Sequence, residues 1–438
     1  MHFKGVQGWH REAKNGIIDS MWQKIKNLYH LTLAILANIY FGFPSRKFRV
    51  VGVTGTDGKT TTVSLIYHIL NTAGKNASMI SSVGAIIGGK NYDIGFHVTT
   101  PSPFALQRFI KKITEGIKKK EENYLVLETT SHALDQYRVF GIKFDIGVLT
   151  NVTHEHLDYH KTYANYVKAK SKLLLKSKIA IVNRDDESYE MINNKGLMIK
   201  NKTKLITYGM RKNADVNPFN FPFETKMIGK YNKYNILAAI AVCKKLGLTE
   251  KEIQNGIESF SPPTGRSQIV HDDSFKVMID FAHTPNAFEQ ILSALRPYVR
   301  GRLIHVFGSA GKRDHTKRPE MGKISSKYAD IIILTAEDPR SESVDKINRQ
   351  IESQILNFQF LIFNQNKNFK FEKNKKYYFK INNRQEAINA AIKIAEKDDL
   401  VIITGKAHEK SMNNGHGEEP WDEFEAVKIA LKELKLKN

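Results

Sequence analysis

Val51-Gly-Val-Thr-Gly-Thr-Asp-Gly-Lys-Thr-Thr61 decides the fold of this 438-residue chain. A β-branched run enters a glycine-rich turn, and a helical pattern follows from Thr62 to Ala73. Strand, turn and helix in this order make a phosphate cradle: Gly55 and Gly58 let the backbone curl until its N–H groups face phosphate oxygens. Lys59 then neutralises β- and γ-phosphate charge, and the Thr60 hydroxyl is placed to ligate magnesium. Thr56, Asp57 and Thr61 complete the turn. The spacing departs from the standard Walker pattern, whose first glycine would fall at position 53, where valine stands. Asp57 is the odd member, because a carboxylate here repels a phosphate unless it points away or meets a cation.

Outward from the turn, strand-like runs alternate with helical stretches, which predicts parallel α/β architecture. The expected strands are Arg49–Val53, Tyr124–Leu127, Phe144–Leu149 and Ile179–Val182, then, after Ser261-Pro-Pro-Thr-Gly265, Lys276–Asp280, Leu303–Phe307, Asp330–Leu334 and Asp399–Ile403. The Pro-Pro-Thr-Gly segment is the best domain boundary. Chemically suggestive residues follow the strands in both halves, so an active site between two α/β domains is expected at the carboxyl ends of the strands.

Composition narrows the function. Hydrophobic residues make up 41% and mean hydropathy is −0.39, which excludes a disordered chain. One cysteine, Cys243, excludes a disulfide framework, a Cys-rich zinc module and a Cys-ligated iron–sulfur cluster. It fits a cytoplasmic protein, and no signal-peptide pattern is visible. The net charge of +22 points first at an acidic partner. The lysines are scattered, however, and the densest runs, Lys118–Lys120 and Asn364–Lys376, come without a nucleic-acid-binding motif. No nucleic-acid partner is expected, and a monomer is. Residues 28–43 are apolar apart from His30, Thr32 and Asn38, and Lys24, Lys26, Arg46 and Lys47 flank them. The stretch is short of the ~20 residues that span a bilayer. It reads either as a helix docked on the next domain or as a peripheral membrane contact.

Glu128 closes the run Leu125-Val-Leu-Glu128, well placed for a hard cation. The histidines of Asn151-Val-Thr-His-Glu-His-Leu-Asp-Tyr-His160 invite a zinc reading, but His154 and His156 face opposite sides of an extended chain. Lys170 reads by itself as a surface helix lysine, and the asparagines of Gly229-Lys-Tyr-Asn-Lys-Tyr-Asn235 as helix caps.

The Gly-Thr-Asp-Gly-Lys-Thr-Thr turn resembles that of the Mur ligases, ATP-dependent amide-forming enzymes of peptidoglycan synthesis. The resemblance runs from Phe48 almost to the C-terminus and is nearest the UDP-N-acetylmuramoyl-tripeptide synthetase branch, which adds the third amino acid. It implies residues 1–47 as a short N-terminal helical segment, 48–263 as the central ATP-binding domain and 264–438 as a C-terminal Rossmann-like domain. The usual N-terminal uridine-binding domain is expected to be absent or much reduced. Implied cofactors are ATP and Mg2+, with Lys59, Glu128, His156 and Lys170 as catalytic residues. Thr60, Glu128 and His156 are implied as magnesium ligands, and a carbamylated Lys170 would join them. Asn232, Asn235, Arg266 and Asp280 match nucleotide positions beside Gly55–Thr61, and His283 follows Asp280 in a motif that closes over ATP. Thr99, Thr100, Thr130, Gln136 and Arg138 match acceptor positions.

For the incoming amino acid, the resemblance implies Arg313, in Gly308–Gly322, then Glu337, Asp338, Pro339 and Arg340, and Gly405 and Glu409. Meso-diaminopimelate carries a distal amine and carboxylate; arginines suit the carboxylates and Glu409 the ammonium. The implied substrates are a UDP-muramoyl dipeptide and this diamino acid. The chain departs from the family at Asp57 (usually Asn), Glu155 (Asp), Phe281 (Tyr), Glu337-Asp338 (Asp-Asn) and Ala407 (Gly). L-lysine, a lipid-linked muramoyl acceptor, a folylpolyglutamate-type ligase and a nucleic-acid-stimulated P-loop ATPase are the alternatives.

Overall fold

Gly52 lets the first strand of the chain pass against its neighbours, since a Cβ there would lie 2.7 Å from Phe144 and Leu173. That strand is β1 (Arg49–Thr54), buried from Val50 onward, as a central parallel strand covered on both faces must be. The structure, a computed structural model, describes residue 23 and residues 25–95, 99–117, 122–153, 155–194, 203–364 and 369–437. The other strands of the first sheet are β2 (Asn76–Ser81), β3 (Gly84–Ile87), β4 (Lys90–Tyr92), β5 (Asn123–Glu128), β6 (Phe144–Leu149), β7 (Ser177–Asn183) and β8 (Lys204–Tyr208). Their order is β4-β3-β2-β5-β1-β6-β7-β8. The six from β2 to β8 in that order run parallel, and β3 and β4 form an antiparallel edge. The chain crosses from one side of β1 to the other, so the strand order reverses there and a crevice opens at the carboxyl end of β1.

The helix that begins at Lys59 (α2, Lys59–Thr72) covers this sheet together with the Lys230–Lys245 helix. On the other face lies α3 (Pro103–Ile113). Cys243 is buried in the first of these layers, and burial pushes its thiol far above the ordinary range; it is core, without exposed thiol chemistry.

The second sheet comprises β9 (Gln268–Asp272), β10 (Lys276–Asp280), β11 (Leu303–Phe307), β12 (Ile331–Leu334), β13 (Gln359–Phe360), β14 (Tyr377–Lys380) and β15 (Leu400–Thr404). The order is β13-β14-β12-β11-β15-β10-β9, parallel except for β9. Every strand expected from the sequence is present, with ends shifted by two residues at most. Most strands not foreseen are short or at sheet edges; the exception is β2, a six-residue interior strand between β3 and β5 whose Asn76-Ala-Ser-Met-Ile-Ser81 run carries polar residues. The aromatic residues of the 364–376 tract do not form a basic stacking platform: Phe369 and Phe371 lie ring to ring and pack with Phe363 against Phe379. Lys118–Lys120 lie outside the described residues.

An ion pair invisible in the sequence locks this second unit. Arg384 is buried and donates to Glu423, to Ala336 O at 2.9 Å and to Thr404 O at 2.7 Å, tying the ends of β12 and β15 to the last helix. Breaking one side of such a pair leaves a buried charge unpaired. Glu423→Ala is therefore expected to cost about 3–5 kcal/mol of stability, read from the denaturant midpoint, whereas an exposed pair such as Lys428–Glu425 contributes little when removed.

Candidate functional site

The turn after β1 needs glycine for two separate reasons. A Cβ on Gly55 would sit 1.7 Å from Thr150 Oγ1. Gly58 has φ +79°, and its Cβ would fall 2.2 Å from Asn235 Oδ1. Side chains are excluded at both positions, so the loop packs tightly on β6 and on the Lys230–Lys245 helix; the N–H groups of Thr56 and Asp57 are taken by the backbone and side-chain oxygens of Asn151, both at 2.9 Å, and Gly58 to Thr61 line the cleft.

That cleft has a volume of about 660 Å3 and lies between the two sheets. Most of the expected residues line it: Thr56 to Thr61, Thr99, Thr100, Glu128, Thr130, Arg138, His156, Asn232, Asn235, Arg266, Asp280 and Arg313. Asn232 is not a helix cap; the cap position is Gly229. Asn232 and Asn235 instead bond to one another at 3.2 Å, and Asn235 also receives Thr62 Oγ1 at 3.4 Å. Gln136 lies off the cleft, and its Oε1 accepts from Nε and Nη2 of Arg138 at 2.9 and 2.7 Å. It orients a guanidinium that also reaches Thr100 O at 3.3 Å.

Thr60 Oγ1 lies 3.1 and 3.2 Å from the two oxygens of Glu128. The Ser82 hydroxyl, at 2.9 Å from Thr60, and its backbone N–H, donating to Glu128, complete the group. Arg266 reaches across to Thr60 at 3.0 Å. A hydroxyl and a carboxylate at the phosphate loop are the hard oxygen donors that magnesium takes alongside phosphates and waters. Ser82 carried no sequence signal beyond its place after β2. His156 stands at φ +57°, so the chain is not extended there, and His154 lies outside the described residues. Burial drives the His156 pKa down to about 3, leaving a neutral imidazole with a free lone pair. Among the described residues, no three His, Cys, Asp or Glu side chains converge as a preformed metal cage.

Lys170 is fully buried, not a surface lysine. Its Nζ donates to Gly55 O at 2.5 Å, and burial, reinforced by the charge of Lys59, holds its pKa well below the ordinary value. Lys59 itself donates to Thr56 O at 2.6 Å.

Asp57 points away from the phosphate cradle. Its carboxylate accepts from Asn286 Nδ2 at 2.7 Å and faces Thr284, the cap of the Pro285–Leu295 helix, where the helix dipole favours an anion. The carboxylate thus joins the two units, and neutral donors hold it. Asp57→Asn keeps an acceptor for Asn286 but removes the charge beside the phosphates. It is expected to lower KM for ATP by roughly two- to tenfold, measured by ATP titration of turnover.

A second contact between the units is buried around Glu155, 3.5 Å from His283 and 3.6 Å from Lys317. Burial opposes charge on both Glu155 and His283. The neighbouring cations nevertheless hold Glu155 well below the carboxylate range, and Glu155 raises His283 above its usual value.

Of the C-terminal set, only Arg313 lines the cleft. Arg340, at φ +52°, donates to Gly311 O at 2.8 Å and feels the charge of Arg313. Glu409 is engaged from within the chain: Lys406, fully buried, donates to Glu409 at 2.6 Å and to Asp338 at 2.9 Å. Gly405 packs on Glu337, and a Cβ there would lie 2.7 Å from its Oε2. Burial raises the Glu337 pKa to about 7. Pro339 closes the turn, its carbonyl 1.8 Å from where a Cβ on Gly311 would be. The loop is held by Arg318, which grips Glu342 with two parallel bonds of 2.8 and 2.9 Å and reaches Ala310 O.

Residues 53–243 match the Mur ligase middle domain and residues 265–407 the Mur ligase glutamate ligase domain. A UDP-N-acetylmuramoyl-L-alanyl-D-glutamate–2,6-diaminopimelate ligase of Clostridium acetobutylicum is 34% identical, over 92% of this chain and 82% of its own. The ligase of that name from Aquifex aeolicus is 37% identical, over 90% and 80%. A solved structure of such a ligase aligns over 89% of this chain and 79% of its own, with TM-score 0.57 and 26% identity. A folylpolyglutamate synthase of Mycobacterium tuberculosis complexed with ADP and AMPPCP shares the fold, over 86% of this chain and 93% of its own, with TM-score 0.66 at 14% identity.

Proposed function

The chain belongs to the Mur ligase family of ATP-dependent ligases, and from that premise we propose that it joins meso-diaminopimelate to UDP-N-acetylmuramoyl-L-alanyl-D-glutamate in peptidoglycan precursor synthesis. On this reading residues 48–263 are the ATP-binding domain, 264–438 the amino-acid-binding domain and 1–47 an N-terminal segment. The observation that carries the proposal is the cleft between the sheets, where the phosphate loop, Thr60–Glu128, Arg138 and Arg313 converge.

Amide formation from a carboxylate needs activation. The γ-phosphoryl group of ATP passes to the D-glutamyl carboxylate, the amine attacks the acyl phosphate, and phosphate leaves. Such transfer is mainly positioning and charge neutralisation. Lys59 leaves the Thr56 carbonyl for the phosphates. Thr60 and Glu128 would hold magnesium, which would supply further neutralisation of phosphate charge, and His156 would offer its neutral nitrogen from the same cleft. Asn232, Asn235, Arg266 and Asp280 enclose the nucleotide. Thr99, Thr100, Thr130 and Arg138, the last aligned by Gln136, orient the acceptor's phosphate and carboxylate groups. Arg313 and Arg340 bind the carboxylates of the incoming amino acid.

Lys406 changes the account of the distal amine. With Lys406 between Asp338 and Glu409, three charges sum to −1, so the substrate's ammonium meets one net negative charge instead of a free glutamate. An amine-dependent phosphate-release assay tests the function. Release is expected only when muramoyl dipeptide, diamino acid and ATP are all present; a folate acceptor that drives release instead would replace this reading with the folylpolyglutamate one.

A further inference from the structure

The helix over residues 25–41 (α1) is apolar on two faces, and among the described residues only one is covered. Its inner side packs through Ala34, Ala37 and Asn38, whose amide donates to Phe140 O at 2.8 Å. Its outer side carries Leu28, Tyr29, Leu36, Ile39 and Tyr40, each between 51% and 77% exposed and spaced to fall on one helical stripe. Phe104, at the start of α3, extends the stripe: its ring lies 6.4 Å from those of Tyr40 and Phe41. A contiguous exposed patch of this kind marks an interaction surface.

Its charge says which partner fits. No Asp or Glu occurs between residues 20 and 56, or within α3. Arg46, Lys47, Arg108, Lys111 and Lys112 are all exposed around the stripe. Arg108 and Lys111 follow Phe104 at one-turn spacing on the same face of α3. An aromatic-bearing apolar stripe framed mainly by cations, with the exposed Glu115 just past the end of α3, is the make-up of an interfacial helix. A second copy of a chain with net charge +22 would be repelled. No described helix is long and apolar enough to cross a membrane, so the contact is peripheral.

We propose that α1 and the start of α3 form a docking surface for an anionic lipid bilayer. The helix also touches the segment that carries the acceptor residues: Asn27 donates to Asp135 at 3.3 Å and Gln23 to Tyr159 at 2.7 Å, beside Gln136 and Arg138. Docking would hold that side of the cleft near the bilayer, a consequence that rests on the function proposed above; the docking itself does not.

The test is co-sedimentation of the full chain with vesicles of phosphatidylcholine alone or of equal parts phosphatidylcholine and phosphatidylglycerol. Binding is expected to the phosphatidylglycerol vesicles, weakened by raised salt and reduced at least about tenfold by Leu36→Glu/Tyr40→Glu or by Arg108→Glu/Lys111→Glu/Lys112→Glu. Both variants should keep wild-type thermal unfolding and ADP binding. The proposal is overturned if wild type ignores phosphatidylglycerol, if the variants sediment like wild type, or if sedimentation velocity shows a dimer that Leu36→Glu/Tyr40→Glu dissolves while no lipid is bound. Without vesicles, phosphate release with soluble acceptor should be equal in wild type and the Leu36→Glu/Tyr40→Glu variant. Its absence in both would count against the ligase assignment and leave the docking result standing.

Discussion

Lys170→Ala is expected to lower kcat by roughly a thousandfold, the scale of losing a group that stabilises transferring charge, with ATP affinity changed only a fewfold. A lysine in a helix next to a nucleotide site is usually solvated. This one is buried against the phosphate loop, on Gly55 O, and burial and the charge of Lys59 hold its pKa well below the ordinary lysine value, which favours the neutral amine. A neutral amine is a nucleophile for carbon dioxide, whereas an ammonium is not. Addition would convert Nζ into an anionic oxygen donor beside the proposed magnesium site. The other role open to Lys170 is a plain hydrogen bond that shapes the turn. Lys170→Arg separates them, because arginine can still donate to Gly55 O but forms no carbamate. Loss of turnover in both variants, with a 13C carbamate signal from labelled bicarbonate in wild type alone, is the expected result. An active arginine variant would reduce Lys170 to a structural donor.

Arg340→Ala is the second large effect. It is expected to raise KM for diaminopimelate about a hundredfold, the scale of losing hydrogen bonds to a charged group, with KM for ATP unchanged. Arg340 sits in a strained left-handed conformation that the Asn413 carbonyl holds through its backbone N–H at 2.8 Å. Its neighbour Arg313 is another cation. Arg313 repels Arg340 while Asp338, Glu418 and Glu409 attract it, and a substrate carboxylate would add a partner for both guanidinium groups. L-lysine has no distal carboxylate to offer, so the same substitution should cost lysine far less. Equal losses for ATP and diaminopimelate would mean that Arg340 only supports its loop.

Local chemistry made the first half of the site legible. Gly55, Gly58, Lys59 and Thr60 announce a phosphate loop because each residue type answers a local need of backbone or charge. The long buried strands announce themselves by unbroken apolar runs. What could not be read depends on distant partners. Asp57 looked like an objection to nucleotide binding, yet Asn286, far along the chain, turns its carboxylate away. Glu409 looked free to bind an ammonium, yet Lys406 occupies it, and no local pattern says that a lysine three residues earlier is fully buried. Arg384 and Glu423 carried no motif at all; they matter only because folding buries both. Hairpins such as Ser411–Asn413 with Glu418–Pro420 are too short and polar to leave an alternating pattern.

The proposed function turns on selection, by the second unit, of a diamino acid with a distal carboxylate whose amine is delivered to an acyl phosphate in the cleft. It is tested most directly by competition in one tube: UDP-muramoyl dipeptide, ATP and magnesium, with meso-diaminopimelate and L-lysine at equal concentration, and the products identified by mass. The diaminopimelate tripeptide is expected as the dominant product, with one ADP and one phosphate per amide formed. A predominance of the lysine tripeptide, or ATP hydrolysis with neither product, would contradict it.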